Sequence, residues 1–163
     1  MLSAVATLIQ PAVDSQLVPV HAHIQRMELF VYDQAKLALP ESCRPLHCGL
    51  LRLSGGGATG WAEFEFSDGS AHLDLIKWGQ VFRRLKHVEA AEARTLIHRY
   101  ESQWGFTRTH LAAEALTAWH KALSEGVSGA ESGIEASSYM TGWTGLPTER
   151  EFLGYYCQSY YSF

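Results

Sequence analysis

The stretch GLLRLSGGGATGWAEFEF, Gly49–Phe66, decides the fold. With His47 and Cys48 before it, the run as far as Leu53 is apolar and compact. Gly55, Gly56 and Gly57 then supply a turn whose left-handed backbone angles only glycine enters without steric cost. Beyond the turn, Ala62, Phe64 and Phe66 alternate with Trp61, Glu63 and Glu65, the two-residue period of a strand. The expectation is a β-hairpin with one buried face and one wetter face.

Upstream, Met27, Leu29 and Val31 alternate with Glu28, Phe30 and Tyr32, which predicts a first strand with unequal faces. Between it and the hairpin, Lys36–Leu46 carries Pro40 and Pro45 and reads as a loop. Residues 1–23 read as an extended arm, punctuated by Pro11 and Pro19 and ending at His21 and His23. The arm is mildly apolar, but it lacks a basic leader and is interrupted by Gln10, Pro11 and Asp14. Neither a signal peptide nor a membrane span is expected there.

Downstream, Asp68-Gly69 ends the strand and the period changes to 3.6. Leu75, Trp78, Phe82 and Leu85 form one helical stripe, which Gly79 weakens by about 1 kcal/mol relative to alanine. Glu89 and Glu92 open a second helix, where the macrodipole favours negative charge. Leu96, Ile97, Tyr100 and Trp104 are its apolar stripe, and Gly105 is its stop. A third helix carries Ala112, Leu116, Trp119 and Leu123 on one face, with Gly126 after its end. Ser124–Gly133 is small and polar, a linker by composition. The tail beyond it is aromatic, from Tyr139 and Trp143 to Tyr160, Tyr161 and Phe163. Thr148 and Glu151 have capping-box spacing for a short helix, whereas the doubled tyrosines suit a strand.

The predicted class is α+β: a three-stranded antiparallel meander followed by a three-helix bundle, with an aromatic C-terminal tail. A chain of 163 residues, 47% hydrophobic and 18% charged, is long enough for one packed core and too apolar for disorder. The organisation expected is an arm over 1–23, a domain over 24–126, and a linker and tail over 127–163 that pack on the domain or on a partner. The net charge is −4 and no basic run exceeds Arg83-Arg84, which argues against a nucleic-acid partner. Three cysteines, Cys43, Cys48 and Cys157, are too few and too odd for a disulfide framework. Reduced thiols and a cytoplasmic location are expected.

No complete active site is legible. His21, His23, Cys43, His47 and Cys48 together have the imidazole and thiolate character that zinc prefers. Their spacing is not that of a standard zinc site, and adjacent His47 and Cys48 would face opposite sides of a strand, so no metal is expected. Cys43 and Cys48 could act as nucleophiles only if a histidine lowered a thiol pKa, and adjacency to His47 does not provide that geometry. Glu63 and Glu65 point the same way from one strand. They are either an acid–base pair with split environments or two solvated carboxylates on an outer face, the latter being expected. The glycines of the turn lack the Lys-Ser/Thr of a phosphate loop. His110 and His120 are expected on the surface. An exposed aromatic tail would mark an interface, so its burial within the chain or in a dimer is expected.

The segments IQRMELFVYD (Ile24–Asp33), GLLRLSGGGATGWAEF (Gly49–Phe64) and THLAAEALTAWHKALSEG (Thr109–Gly126), in this order, resemble the N-terminal capping domain of the enolase superfamily, in its mandelate racemase/muconate lactonizing branch. Gly60-Trp61-Ala62-Glu63 stands where that family often has Gly-Trp-Gly-Glu, and His120 stands where its last capping helix often has Asp. Full members add a large barrel that carries the metal carboxylates and the bases. A barrel takes about 250 residues, and fewer than 40 follow Gly126. The resemblance therefore implies a stand-alone, non-catalytic capping-domain protein that acts as a binding or interaction module. The alternative is the cap subunit of a split racemase, lyase or cycloisomerase completed by a separate barrel protein. A homodimer or a barrel-domain protein is the implied partner, and magnesium enters only if such a barrel supplies the site. Trp61, Glu63 and Glu65 are the implied partner-facing or substrate-loop residues, with Lys36–Leu46 and the segment around Phe64–Ala71 in the position of the shielding loops.

Overall fold

The structure is a computed structural model that describes residues 21–33, 36, 47–66, 74–125, 153, 155 and 157–163. The arm before His21, the proline-bearing loop with Cys43, most of the segment leading to Ala71, and the linker with Thr148 and Glu151 lie outside the described residues.

Four strands, β1 (Arg26–Tyr32), β2 (His47–Gly55), β3 (Ala58–Phe66) and β4 (Cys157–Ser162), form one antiparallel sheet. The helices are α1 (Leu75–Gly79), which runs on into a 3₁₀ turn (Gln80–Leu85), α2 (Ala90–Trp104) and α3 (Phe106–Ser124). The class is α+β. The hairpin forms as the glycines require: Gly55 pairs with Ala58, and Gly56 and Gly57 take φ of 61° and 80°. Two consecutive positive φ values match the right-handed twist of the flanking strands.

The expectation of a three-stranded meander is corrected. The sheet order is β3-β2-β1-β4, because the end of the chain returns to the open edge of β1. Tyr160 and Tyr161 are therefore strand residues, paired with Phe30 and Leu29. The helices do not stand apart from the sheet as a bundle; α3 lies on β3 and β2, and α2 packs beside α3.

Met27, Leu29, Leu51, Leu53, Ala62 and Phe64 face this helical layer. They meet Phe82, Leu85, Ile97, Leu111, Leu116 and Trp119 in the main core, which Phe163 also enters. The helix layer comes closest at Gly60. A Cβ there would lie 2.3 Å from the Ala115 carbonyl oxygen and 2.3 Å from the Trp119 nitrogen. Backbone thus rests on backbone, and the buried Trp119 indole donates to the Gly55 carbonyl at 2.9 Å.

The stripe from Leu75 to Leu85 predicts a single helix, and the structure corrects this too. The α-helix ends at Gly79 and tightens into the 3₁₀ turn. Three residues per turn set Phe82 and Leu85 on the same side, and both are fully buried. Gly79 sits against the tip of the Phe163 ring, where a Cβ would come within 2.6 Å.

Residues 22–24 are stitched to the start of α2. Ile24 N–H donates to Val88 O, His87 N–H to Ile24 O, and Ala90 N–H to Ala22 O. The last of these caps the helix, since Glu89 makes no side-chain cap bond. His87 has a φ of 65°, an uncommon angle for a residue other than glycine, inside this stitch. Among the described residues no helix is long and apolar enough to cross a membrane.

The close approach at Gly60 is testable. Gly60→Ala is expected to cost about 2–3 kcal/mol through overpacking against the α3 backbone. Gly57→Ala meets open space and is expected to cost only the left-handed penalty, about 1 kcal/mol. Urea denaturation ranks the two; equal losses would remove the α3 contact as the cause.

Candidate functional site: the outer face of the sheet

Strand alternation puts Glu28, Phe30 and Tyr32, then Cys48, Leu50 and Arg52, then Trp61, Glu63 and Glu65 on the face turned away from the helices. The register arranges them in rows. Ser162, Glu28, Arg52 and Trp61 lie side by side across the strands, as do Tyr160, Phe30, Leu50 and Glu63. Cys157 lies beside Tyr32, and Cys48 beside Glu65, in the third row.

The hairpin pattern predicts that this face is the wetter one, and on β3 it is: Trp61 and Glu63 are half-buried and Glu65 is exposed, whereas Ala62 and Phe64 are buried. Its centre on β1 and β2 is dry. Phe30, Tyr32, Cys48 and Leu50 are buried, and Leu153, Cys157 and Trp61 pack against them. The sheet is covered on both faces at its centre, which is why β1 reads as a nearly unbroken apolar run.

One charged pair is set into this apolar face. Glu28 is 3% exposed. Arg52 donates to it through Nε at 2.6 Å and holds it through Nη2 at 2.5 Å, and Arg26 lies 3.7 Å from its other oxygen. The Arg52 guanidinium also lies 5.4 Å from the Phe30 ring and 5.3 Å from the Trp61 ring. Tyr160 stacks on Phe30 at 5.6 Å, which extends the aromatic row onto β4. Sequence reading missed this pair. Its signal was a lone arginine inside Leu50-Leu51-Arg52-Leu53 with a lone glutamate inside Met27-Glu28-Leu29; only the register places them opposite each other.

The predicted carboxylates sit at the rim of this face. Tyr32 Oη donates to Glu63 Oε1 at 3.0 Å, so Glu63 is tied to the neighbouring buried tyrosine. Glu65 is exposed and Glu63 half-buried, and Glu65 also has interaction partners. Trp61 is half-buried, and its Nε1 finds no hydrogen-bond acceptor among the described residues. The three predicted partner-facing residues thus share one strand and one face.

The two described thiols are held protonated. Burial pushes the Cys48 thiol up to about 12, and the charges of Glu65 and Glu63 add to the rise. Burial alone takes Cys157 to about 12. Both are free, on opposite sides of Tyr32. Two strand spacings, about 9.6 Å, separate them, beyond disulfide reach.

The weak metal candidates are scattered. His23 lies against Gly55, at the far end of β2 from Cys48. Seven residues of strand, about 23 Å, separate the two ends. His23 Nδ1 is 2.8 Å from the His21 carbonyl, and its Nε2 is 3.5 Å from Glu89. The His47 side chain and Cys43 lie outside the described residues. Among the described residues no three of His, Cys, Asp and Glu form a group that could hold a metal ion. His110 is exposed and paired with Glu114 at 3.2 Å. His120, by contrast, is part-buried: desolvation draws its pKa below the usual value, a hydrogen bond with the Ala90 backbone opposes that, and Arg94 adds to the lowering. The surface expectation for His120 is thereby corrected.

Two open cavities lie elsewhere on the described surface. One, of about 600 Å³, lies between α2 and α3 beside Phe106, which is 80% exposed and stacked on His110 at 5.6 Å. The other, also about 600 Å³, lies between β4 and the α1–3₁₀ segment. No family model matches the chain, and no curated protein or solved structure does either.

Two outcomes follow from the outer face. Arg52→Leu strands a buried carboxylate and is expected to cost about 3 kcal/mol or more, whereas the double variant Glu28→Met/Arg52→Leu recovers much of that loss. A double variant as unstable in urea as the single one would overturn this account. In a Cys43→Ser background, the folded protein at pH 8 has roughly a thousandfold less thiolate than a free thiol. Ellman's reagent is expected to react with Cys48 and Cys157 only as urea unfolds the chain.

Proposed function

We propose that the chain is a non-catalytic binding or interaction module, laid out like a capping domain of the enolase superfamily. The observation that carries this reading is the commitment of the chemically capable side chains to structure. Arg52 and Glu28 neutralise each other inside an aromatic frame. Glu63 accepts from Tyr32, and both described thiols are held in the protonated state. A thiol nucleophile must be released near neutral pH, and Cys48 and Cys157 are held the other way.

The order of strand, hairpin and three helices supports the capping-domain layout, as does the Gly60-Trp61-Ala62-Glu63 motif. Gly60 takes the close helix contact, and Trp61 and Glu63 stand on the opposite face. In this reading Trp61, Glu63 and Glu65 are partner-facing, and the partner is protein: a second copy or a separately encoded barrel protein. Magnesium would come with such a barrel.

The test is proton exchange. The purified chain, supplied with magnesium and a panel of carboxylates bearing an acidic α-proton, is followed by proton NMR in heavy water. No exchange above the uncatalysed rate is expected. Turnover by the single chain would overturn the reading, and turnover only after a barrel protein is added would convert it to the split enzyme.

A further inference from the structure

Among the described residues β4 is the outermost strand on its side of the sheet. Phe163 N–H donates to the Met27 carbonyl at 2.9 Å, and the register continues with Leu29 opposite Tyr161 and Val31 opposite Ser159. In an antiparallel ladder, hydrogen-bonded and non-hydrogen-bonded pairs alternate. Ser159, Tyr161 and Phe163 therefore turn their backbone groups toward β1. Tyr160 and Ser162 turn theirs outward, and among the described residues no strand meets them. Each presents one donor and one acceptor on an open edge.

The cavity of about 600 Å³ runs along this edge. Its opposite wall is formed by Ile76 on α1 and by Arg83 and Lys86 at the 3₁₀ turn. Ile76 is 47% exposed. Arg83 and Lys86 are exposed and make no ion pair among the described residues, whereas neighbouring Arg84 lies over the Tyr100 ring at 4.5 Å. The charged side chains lining the cleft are both positive, in a chain whose net charge is −4.

An open strand edge, a helical wall facing it and a cleft between them form the geometry that takes up an extended peptide as an added strand. We propose that this cleft binds an extended acidic peptide segment of a partner protein as a fifth strand on β4. Backbone bonds form at Tyr160 and Ser162, and alternate acidic side chains reach Arg83 and Lys86. The proposal rests on the interaction-module reading and names its site and the chemistry of its partner. A second copy is the weaker occupant: pairing β4 with β4 brings another Arg83 and Lys86 to the same seam, and like charges across an interface repel.

The probe is a fluorescein-labelled Thr-Glu-Val-Glu-Val-Thr amide, compared with the same peptide carrying lysine for glutamate. Each is titrated with the full chain by fluorescence anisotropy. The acidic peptide is expected to bind at least roughly tenfold more tightly than the basic one. Binding should slow amide exchange at Tyr160 and Ser162. The double variant Arg83→Glu/Lys86→Glu should reverse the preference. Tyr160→Pro, which removes an outward donor, should abolish binding with an unchanged circular dichroism spectrum. If that variant fails to fold, the charge-reversal variant decides alone. Equal binding of the two peptides, no binding of the acidic one, or protection confined to β3 overturns the proposal. So does a dimer in light scattering that Tyr160→Pro dissociates, which would give the edge to a second copy. A failed titration leaves the interaction-module reading standing, whereas α-proton turnover removes that reading and leaves the titration unaffected.

Discussion

The contact between the α3 backbone and Gly60 of β3 sets the geometry of the rest. A helix normally stands off a sheet by the length of its side chains; here the Ala115 carbonyl and the Trp119 nitrogen come to within 2.3 Å of where a Cβ would be. That proximity lets the Trp119 indole reach the Gly55 carbonyl and fasten the hairpin end to the helix. From α3 the constraint passes to α2 across Gly105, whose φ of 76° reverses the chain. From α2 it passes to Ala22–Ile24 through the backbone bonds at Val88 and Ala90. The sheet edge, the helical layer and the entry of the chain thus share one frame.

The opposite face follows a different logic. It carries no helix of the main layer, yet its centre is as dry as the core. An ion pair in such surroundings loses hydration that its mutual attraction only partly returns. Arg52 offsets that loss with a second hydrogen-bonding nitrogen on the same carboxylate and with two aromatic rings beside its guanidinium. The same dryness protonates Cys48 and Cys157. Cys48 and Cys157 are thus restrained by burial, and Glu28 by pairing with Arg52. The Glu63–Glu65 rim and the β4 edge lie outside this dry centre.

Much of the fold was legible because its signals are local. The glycine turn, the alternation in β3, the stop at Gly105 and the stripe of α3 each rest on neighbours within a few residues. β4 was not: its burial alternates, but its residue types do not, since a tyrosine and a serine stand on each face. Helix and strand remain equally compatible with such a pattern until a partner edge is known. The 3₁₀ turn was missed for a related reason: Phe82 and Leu85, three residues apart, fit either helical period, and Phe163, distant in sequence, occupies the space beside Gly79. At the candidate site, Glu63, Glu65 and Trp61 could be named from alternation alone. Their neighbour Arg52 and its partner Glu28 could not, since 24 residues separate them.

The sequence by itself determined the α+β class, the hairpin and its turn, the positions of α2 and α3, and the poverty of catalytic motifs. These depend on period, turn chemistry and charge, which are written in short windows. Only the tertiary structure decided that the end of the chain pairs with β1, that the centre of the outer face is dry, that Glu28 faces Arg52, and that His23 and Cys48 lie apart. Each of these depends on strand register and on which surfaces exclude water, and those are properties of residues brought together from distant parts of the chain.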